Sequence, residues 1–276
     1  MNRLFLGTSG YSYQHWKGVF YPQGLAQTRW LEFYCRHFTT VELNVTFYRL
    51  PSRKAFEGWF QKTPDNFSFA AKGSRFITHV KKLRDCREPL LAYKENATGL
   101  KEKLAVILWQ LPPNLHYDGK RLEEFCQILT AEYPEKRHAF EFRHESWLNE
   151  ECYTILSAHG YALCIPVGPG YPKAEEITAP FLYIRFHSGE VMRNSCFTDK
   201  ELKQWAAKIK GWLKSRSTLY KNLNGDPAPQ YDFCGQRGPV WREMSQGDRQ
   251  DVYCYFNNDV SGFAIANAKR LRDYIT

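Results

Sequence analysis

The chain has 276 residues, 43% of them apolar and 24% charged, a balance that supports a sizeable core and excludes disordered and fibrous classes. No stretch approaches the ~20 apolar residues needed to cross a bilayer, and MNRLFLGTSGYSYQHW carries too short an apolar run for a signal peptide. The expectation is therefore a cytoplasmic protein with no membrane partner. A net charge of +9 suits an anionic partner, although basic side chains also serve plain solubility.

In chain order, apolar runs of strand length fall at Leu4–Gly7, Thr40–Asn44, Phe67–Lys72, Leu104–Leu111, His138–Arg143, Tyr161–Val167, Phe181–His187 and Val252–Asn257. Helical periodicity separates most of them. Trp30–Phe38 follows Thr28 as a cap, and Ser52 precedes Phe56, Trp59 and Phe60. Pro89 and Gly99 interrupt the segment before the fourth run. Leu122, Phe125, Cys126 and Leu129 share a face, as do Leu148, Cys152, Ile155 and Leu156 after a Ser146 cap. Thr198 and Glu201 form a capping box before Leu202, Trp205, Ile209 and Trp212, and a last helix follows Ser261. Eight alternating units predict an α/β fold of one domain, a (β/α)8 TIM-type barrel over residues 1–276, with a doubly wound open sheet as the rival. Residues 217–250 lack periodicity and read as a loop insertion on the face away from the chemistry. The eight cysteines include no C-x-x-C pair and read as small buried hydrophobes in a reducing compartment.

The strand ends carry the functional signal. Glu42 and Asn44 share one strand face, as do Glu141 and Arg143, and Arg185 and His187, each opposite an apolar face. Lys72 and Gln110 end the third and fourth runs, and Asn257 and Asn258 the last. In a barrel these groups point inward at the C-terminal mouth, where barrel enzymes keep their reacting groups. Single pairs such as Glu42 with Lys72 could be structural ion pairs, but the set as a whole predicts an active site.

Several chemistries fit. Glu42 and Glu141 are candidate general acid and base, with Lys72 and His187 beside them. Arg185, His187 and Lys72 would hold a small anionic or phosphorylated group, since the last two barrel loops often bind phosphate. Hydrolase-, isomerase- and lyase-type reactions all remain open. Two carboxylates also suit a glycosidase, with Tyr11, Tyr13, Trp16 and Trp147 stacking on sugars, and Lys72 could instead form a Schiff base. No cofactor is expected: nucleotide-binding glycine loops and H-E-x-x-H spacing are absent, although a divalent metal stays open. From a different class, a non-catalytic nucleic-acid-binding module would use the basic surface and exposed aromatics. Oligomeric state is not readable.

The motifs GTSGYSYQHWKGVFYP, TVELNVTFYRLP, TPDNFSFAAKGSRFITH, LWQLPPN, AFEFRHESW and YFNNDVSGFAIANA together resemble the YecE-like family, a large bacterial and archaeal group catalogued as a domain of unknown function. The resemblance spans nearly the whole chain and implies a barrel, but supplies no reaction. Its motifs fall on Ser9, Tyr11, Trp16, Glu42, Asn44, Tyr48, Lys72, His79, Gln110, Glu141, Arg143, Trp147, Arg185, His187, Asn257 and Asn258. Three departures stand out. RFHSGE implies a longer turn after His187, CIPVGP lacks the acidic residue relatives often carry there, and the 217–250 insertion is long.

Overall fold

The structure, a computed structural model, describes residues 3–189, 196–214 and 251–276. The expected insertion at 217–250 and part of the turn after His187 lie outside these residues. Eight parallel strands form one sheet: β1 (Leu4–Thr8), β2 (Thr40–Leu43), β3 (Ser68–Lys72), β4 (Leu104–Gln110), β5 (Arg137–Glu141), β6 (Ala162–Val167), β7 (Phe181–Phe186) and β8 (Asp251–Phe256). Their order is β1-β8-β7-β6-β5-β4-β3-β2. Every strand lies beside its sequence neighbours and β1 joins β8, so the sheet curls into a barrel and the open-sheet rival falls.

The seam between β1 and β2 is the thinnest part of the ring. A single Ser9–Glu42 bridge crosses it, supported by the Gly10 amide donating to the Glu42 carbonyl at 2.7 Å. Gly7 makes this approach feasible, because a Cβ there would lie 2.3 Å from the Thr40 carbonyl oxygen.

Strand alternation sorts the side chains. Leu6, Val41, Leu43, Ile107, Phe140 and Ile184 are buried under the helices, while Ala70, Val106, Leu108, Ala139, Cys164, Tyr183, Tyr253 and Tyr255 fill the barrel itself. Tyr183 lies 6.3 Å from Tyr253 and 5.4 Å from Tyr255, ring to ring. Beneath them, Asp251 accepts from Arg3 at 2.9 Å and Arg137 at 2.8 Å. The interior is packed, so the inward groups meet solvent only at the mouth.

The outer layer comprises α1 (Trp30–Tyr34), α2 (Val45–Tyr48), α3 (Arg53–Gln61), α4 (Arg87–Ala97), α5 (Gly119–Glu132), α6 (Glu150–Ala158), α7 (Asp199–Lys214) and α8 (Phe263–Ile275). Ser52 caps α3 through the Ala55 amide, and Thr198 and Glu201 form the expected box, with the Thr198 amide 2.7 Å from Glu201 Oε2. Pro89 does not interrupt α4: it occupies the first turn, where its missing N–H has no intrahelical partner to lose. Two expected caps are corrected. Thr28 lies in a 3-10 turn ahead of α1, whose start has no side-chain cap. Asn149, not Ser146, caps α6; the Ser146 hydroxyl instead accepts the Tyr117 amide at 2.8 Å. Residues 168–180, between β6 and β7, form no helix. No helix among the described residues is long and apolar enough to cross a membrane.

Candidate active site at the barrel mouth

Strand alternation delivers Ser9, Glu42, Lys72, Gln110, Glu141, Tyr183, Arg185 and His187 to the inner face near the C-terminal end of the barrel, all buried. Arg185 is the hub. Its two amino nitrogens reach Glu42 Oε1 at 2.8 Å and Glu141 Oε2 at 2.6 Å. Glu42 also accepts from the Ser9 hydroxyl and, at 2.6 Å, from the Tyr183 hydroxyl. Ser9 Oγ accepts in turn from Arg185 Nη2 at 3.2 Å and from Asn44 Nδ2 at 2.9 Å. Glu141 accepts from Arg143 Nη2 at 2.7 Å and meets His187 Nε2 at 3.1 Å. The Asn257 amide nitrogen donates to His187 Nδ1 at 3.1 Å, so Nε2 bears the imidazole proton and gives it to Glu141.

These contacts set the protonation states. Burial pushes both carboxyls upward, but the Arg185 charge and the donated hydrogen bonds outweigh it. Glu42 falls below its ordinary value and Glu141, with Arg143 added, falls well below. Arg185 stays charged against its burial because two carboxylates face it. Burial lowers His187, against the pull of Glu141, and keeps the ring neutral near pH 7.

Lys72 stands apart. No carboxylate or hydrogen-bond acceptor engages its Nζ among the described residues; the amine lies 4.0 Å from the centre of the Phe47 ring. Burial, then Arg185, brings it down to about 8, with Glu141 and Glu42 opposing. His79, whose ring is 5.0 Å from Phe47, is pushed down to about 4 by burial and by Lys72, Arg75 and Arg143. A π-helical turn, Phe76–Val80, follows β3, and Lys82, Leu83 and Asp85 then take left-handed backbone conformations. Such conformations cost of order 1–3 kcal/mol each and gather at functional segments.

Not every expected residue joins this cluster. Tyr11 accepts the Trp59 indole N–H at 3.0 Å. Trp16, fully buried, donates to the Asp259 carbonyl at 2.9 Å and ties the loops after β1 and β8 together. Trp147 donates to the Leu115 carbonyl at 2.6 Å and stacks on Phe142 at 4.6 Å. Asn258 donates to Asn267 of α8 at 2.8 Å, and Gln110 donates to the Leu111 carbonyl at 2.9 Å. Tyr48 stands 76% exposed on α2. The buried indoles cannot serve as sugar platforms.

Three participants escaped the sequence reading. Tyr183 could have been found, since it lies two residues before Arg185 on the same strand face. Phe47, on the single turn of α2, and Tyr171, from a loop, had no periodic signal. Tyr171, in the helix-free stretch after β6, stacks on His187 at 4.2 Å and lies 4.5 Å from the Arg143 guanidinium. Among the described residues no group of three or more His, Cys, Asp and Glu side chains could hold a metal ion, and Glu42 and Glu141 each already accept three of the donors just named.

Fold and mouth together define a (β/α)8 barrel whose charged residues are sunk into the C-terminal end of the strands. The chain belongs to the family described as "Protein of unknown function DUF72", whose model matches residues 5–231. It is 26% identical to the UPF0759 protein YunF of Bacillus subtilis over 99% of this chain and 94% of that one. It is 27% identical to the UPF0759 protein YecE of Escherichia coli over 51% and 48% of the two chains. A DUF72 family crystal structure from Thermotoga maritima superposes with a TM-score of 0.76 at 28% identity, covering 99% of this chain and 98% of that one. An Enterococcus faecalis member, at 18% identity, TM-score 0.73 and coverage of 99% and 95%, shares the fold.

Proposed function

We propose that the chain is an enzyme that binds the anionic group of a small, phosphorylated or carboxylated substrate at the barrel mouth and moves a proton with Lys72. One observation carries this reading. Lys72, Arg143 and Arg185 place three positive charges against the two carboxylates of Glu42 and Glu141, leaving one buried positive charge without a counter-ion among the described residues, beside a neutral His187. Uncompensated buried charge costs several kcal/mol, and a bound anion removes that cost. Arg143 and Arg185 also each keep a buried Nε–H with no acceptor among the described residues, which ligand oxygens would satisfy.

The proton chemistry falls to Lys72 rather than to the glutamates. A general acid or base works best near the operating pH; Glu42 and Glu141 are held as carboxylates, each accepting three hydrogen bonds, whereas an amine brought down to about 8 can give and take a proton. The same reasoning weighs against a paired-glutamate glycosidase, whose acid must be protonated. In this scheme Glu42 and Glu141 orient Arg185, and His187, fixed by Asn257, braces Glu141.

The test is a thermal-shift titration with inorganic phosphate and glucose 6-phosphate as probes, on the parent chain and on Lys72→Met. A rise in Tm in the parent that grows with the logarithm of probe concentration, reaching about 2.7 kcal/mol of stabilisation at a hundredfold excess over Kd, and absent from Lys72→Met, supports the site. An equal rise in the variant, or none with either probe, refutes it.

A further inference from the structure

The positive excess of the chain lies in its first third. Residues 1–84 contain thirteen Lys and Arg against four Asp and Glu, a net +9 equal to that of the whole molecule, while residues 85–276 hold twenty-five of each sign. In space these residues are one sector of the barrel, β1 to β3 with α1 to α3 and the loop entering α4. Their four acids do little to neutralise the mouth. Glu42 belongs to the buried cluster, Glu32 and Glu57 pair with Arg29 and Arg53, and Asp65 lies in the turn at the opposite end of the barrel between α3 and β3.

On the mouth side, no acidic residue occurs from Leu43 to Phe56 or from Asn66 to Arg84. Arg49, Lys54, Arg75 and Arg84 are exposed and Lys81 and Lys82 half-buried, and among the described residues none of the six has a carboxylate partner. Two large rings stand out among these cations: Tyr48, 76% exposed, and Phe76, 49% exposed. Tyr48 leads inward. Its ring lies 5.1 Å from that of Phe47, and Phe47 is the ring against Lys72. The left-handed backbone at Lys82 and Leu83, anchored by the buried Leu83 side chain, holds this basic loop in one shape.

Cations without counter-ions, interleaved with exposed rings and running into an anion-binding mouth, fit a flexible polyanion whose units each carry one charge and one flat face. We infer that this sector is the docking track of a single-stranded nucleic acid, and that the anion received at Lys72 is one of its phosphates. Backbone phosphates lie along the cations and bases stack on Tyr48 and Phe76. An anionic bilayer fits less well, since a flat surface cannot bring its headgroups down to a buried amine. The inference rests on the proposed anion site and narrows its substrate class.

The experiment is fluorescence anisotropy of the full chain with a labelled oligothymidylate of about twelve nucleotides, at about 50 and 200 mM KCl. Binding is expected to weaken steeply with salt. Lys81→Gln combined with Lys82→Gln weakens it about tenfold and flattens the logarithmic salt slope by about 1.4. Tyr48→Ala and Phe76→Ala each weaken it about fivefold or more with the slope unchanged. Circular dichroism and Tm confirm that these surface variants fold. Absence of binding at low salt, or equal binding by parent and all variants, overturns the inference. So does selective binding to phosphatidylserine vesicles. Failure of the mouth site is seen separately: Lys72→Met then keeps the parent's response to inorganic phosphate, whatever the oligonucleotide does.

Discussion

Arg185 is a buried cation made tolerable by two carboxylates, and the arrangement has a measurable cost when broken. Glu141→Gln leaves Arg185 with Glu42 alone and strips Arg143 and His187 of their acceptor charge. Removing one partner of a buried pair costs about 3 kcal/mol or more, so urea unfolding at pH 7 should show a loss of that size in a barrel that still forms. Arg185→Met, which leaves two facing carboxylates, should lose more. A second residue-scale effect concerns His138. Burial pushes it down to about 4, and its Nδ1 accepts the Trp109 indole N–H at 3.1 Å. Below about 6.5 the unfolded chain takes up a proton that the folded ring refuses, so stability falls as pH drops towards 4, by about 3 kcal/mol for this residue. Urea midpoints between pH 7 and 4.5 check this, and His138→Gln should flatten that slope. The carboxylates act lower down: their stabilisation is full above about pH 4.5 and is lost as pH falls through their depressed values.

At the scale of elements, all eight strands were readable as short apolar runs between helical segments, and most of them turn polar on the inward face at the C-terminal end. Helix starts were less so. Ser52 and Thr198 cap as their spacing suggests, whereas Asn149 outcompetes Ser146 because the Ser146 hydroxyl is drawn across to the preceding loop. Asn149→Ala should therefore cost about 1 kcal/mol in urea unfolding. The β1–β2 seam makes a stronger demand. Gly7→Ala forces a methyl into the Thr40 carbonyl and should cost about 3 kcal/mol, the upper range for overpacking, measured as a fall in Tm.

For the molecule as a whole, the mouth was legible as a set of inward polar strand ends, but its division of labour was not. Strand periodicity places Glu42 and Glu141 beside Arg185 without revealing that each accepts three hydrogen bonds and is held ionised. It could not show that, among the described residues, Lys72 meets the Phe47 ring and no carboxylate, since Phe47 is brought to the mouth by the short α2 and Tyr171 by a loop. The indoles of Trp16 and Trp147, conspicuous in sequence, turned out to be pins between loops. The ladder of β1 bears on another property altogether. It runs along β8, pairing Leu4 with Val252 and Thr8 with Phe256, while only one bridge joins β1 to its neighbour in sequence. During synthesis, the first strand leaves the ribosome long before the strand it must pair with exists. Its apolar length stays uncovered until β8 emerges, about 250 residues later, so ring closure is a non-local step and a window for chaperone engagement or misassembly.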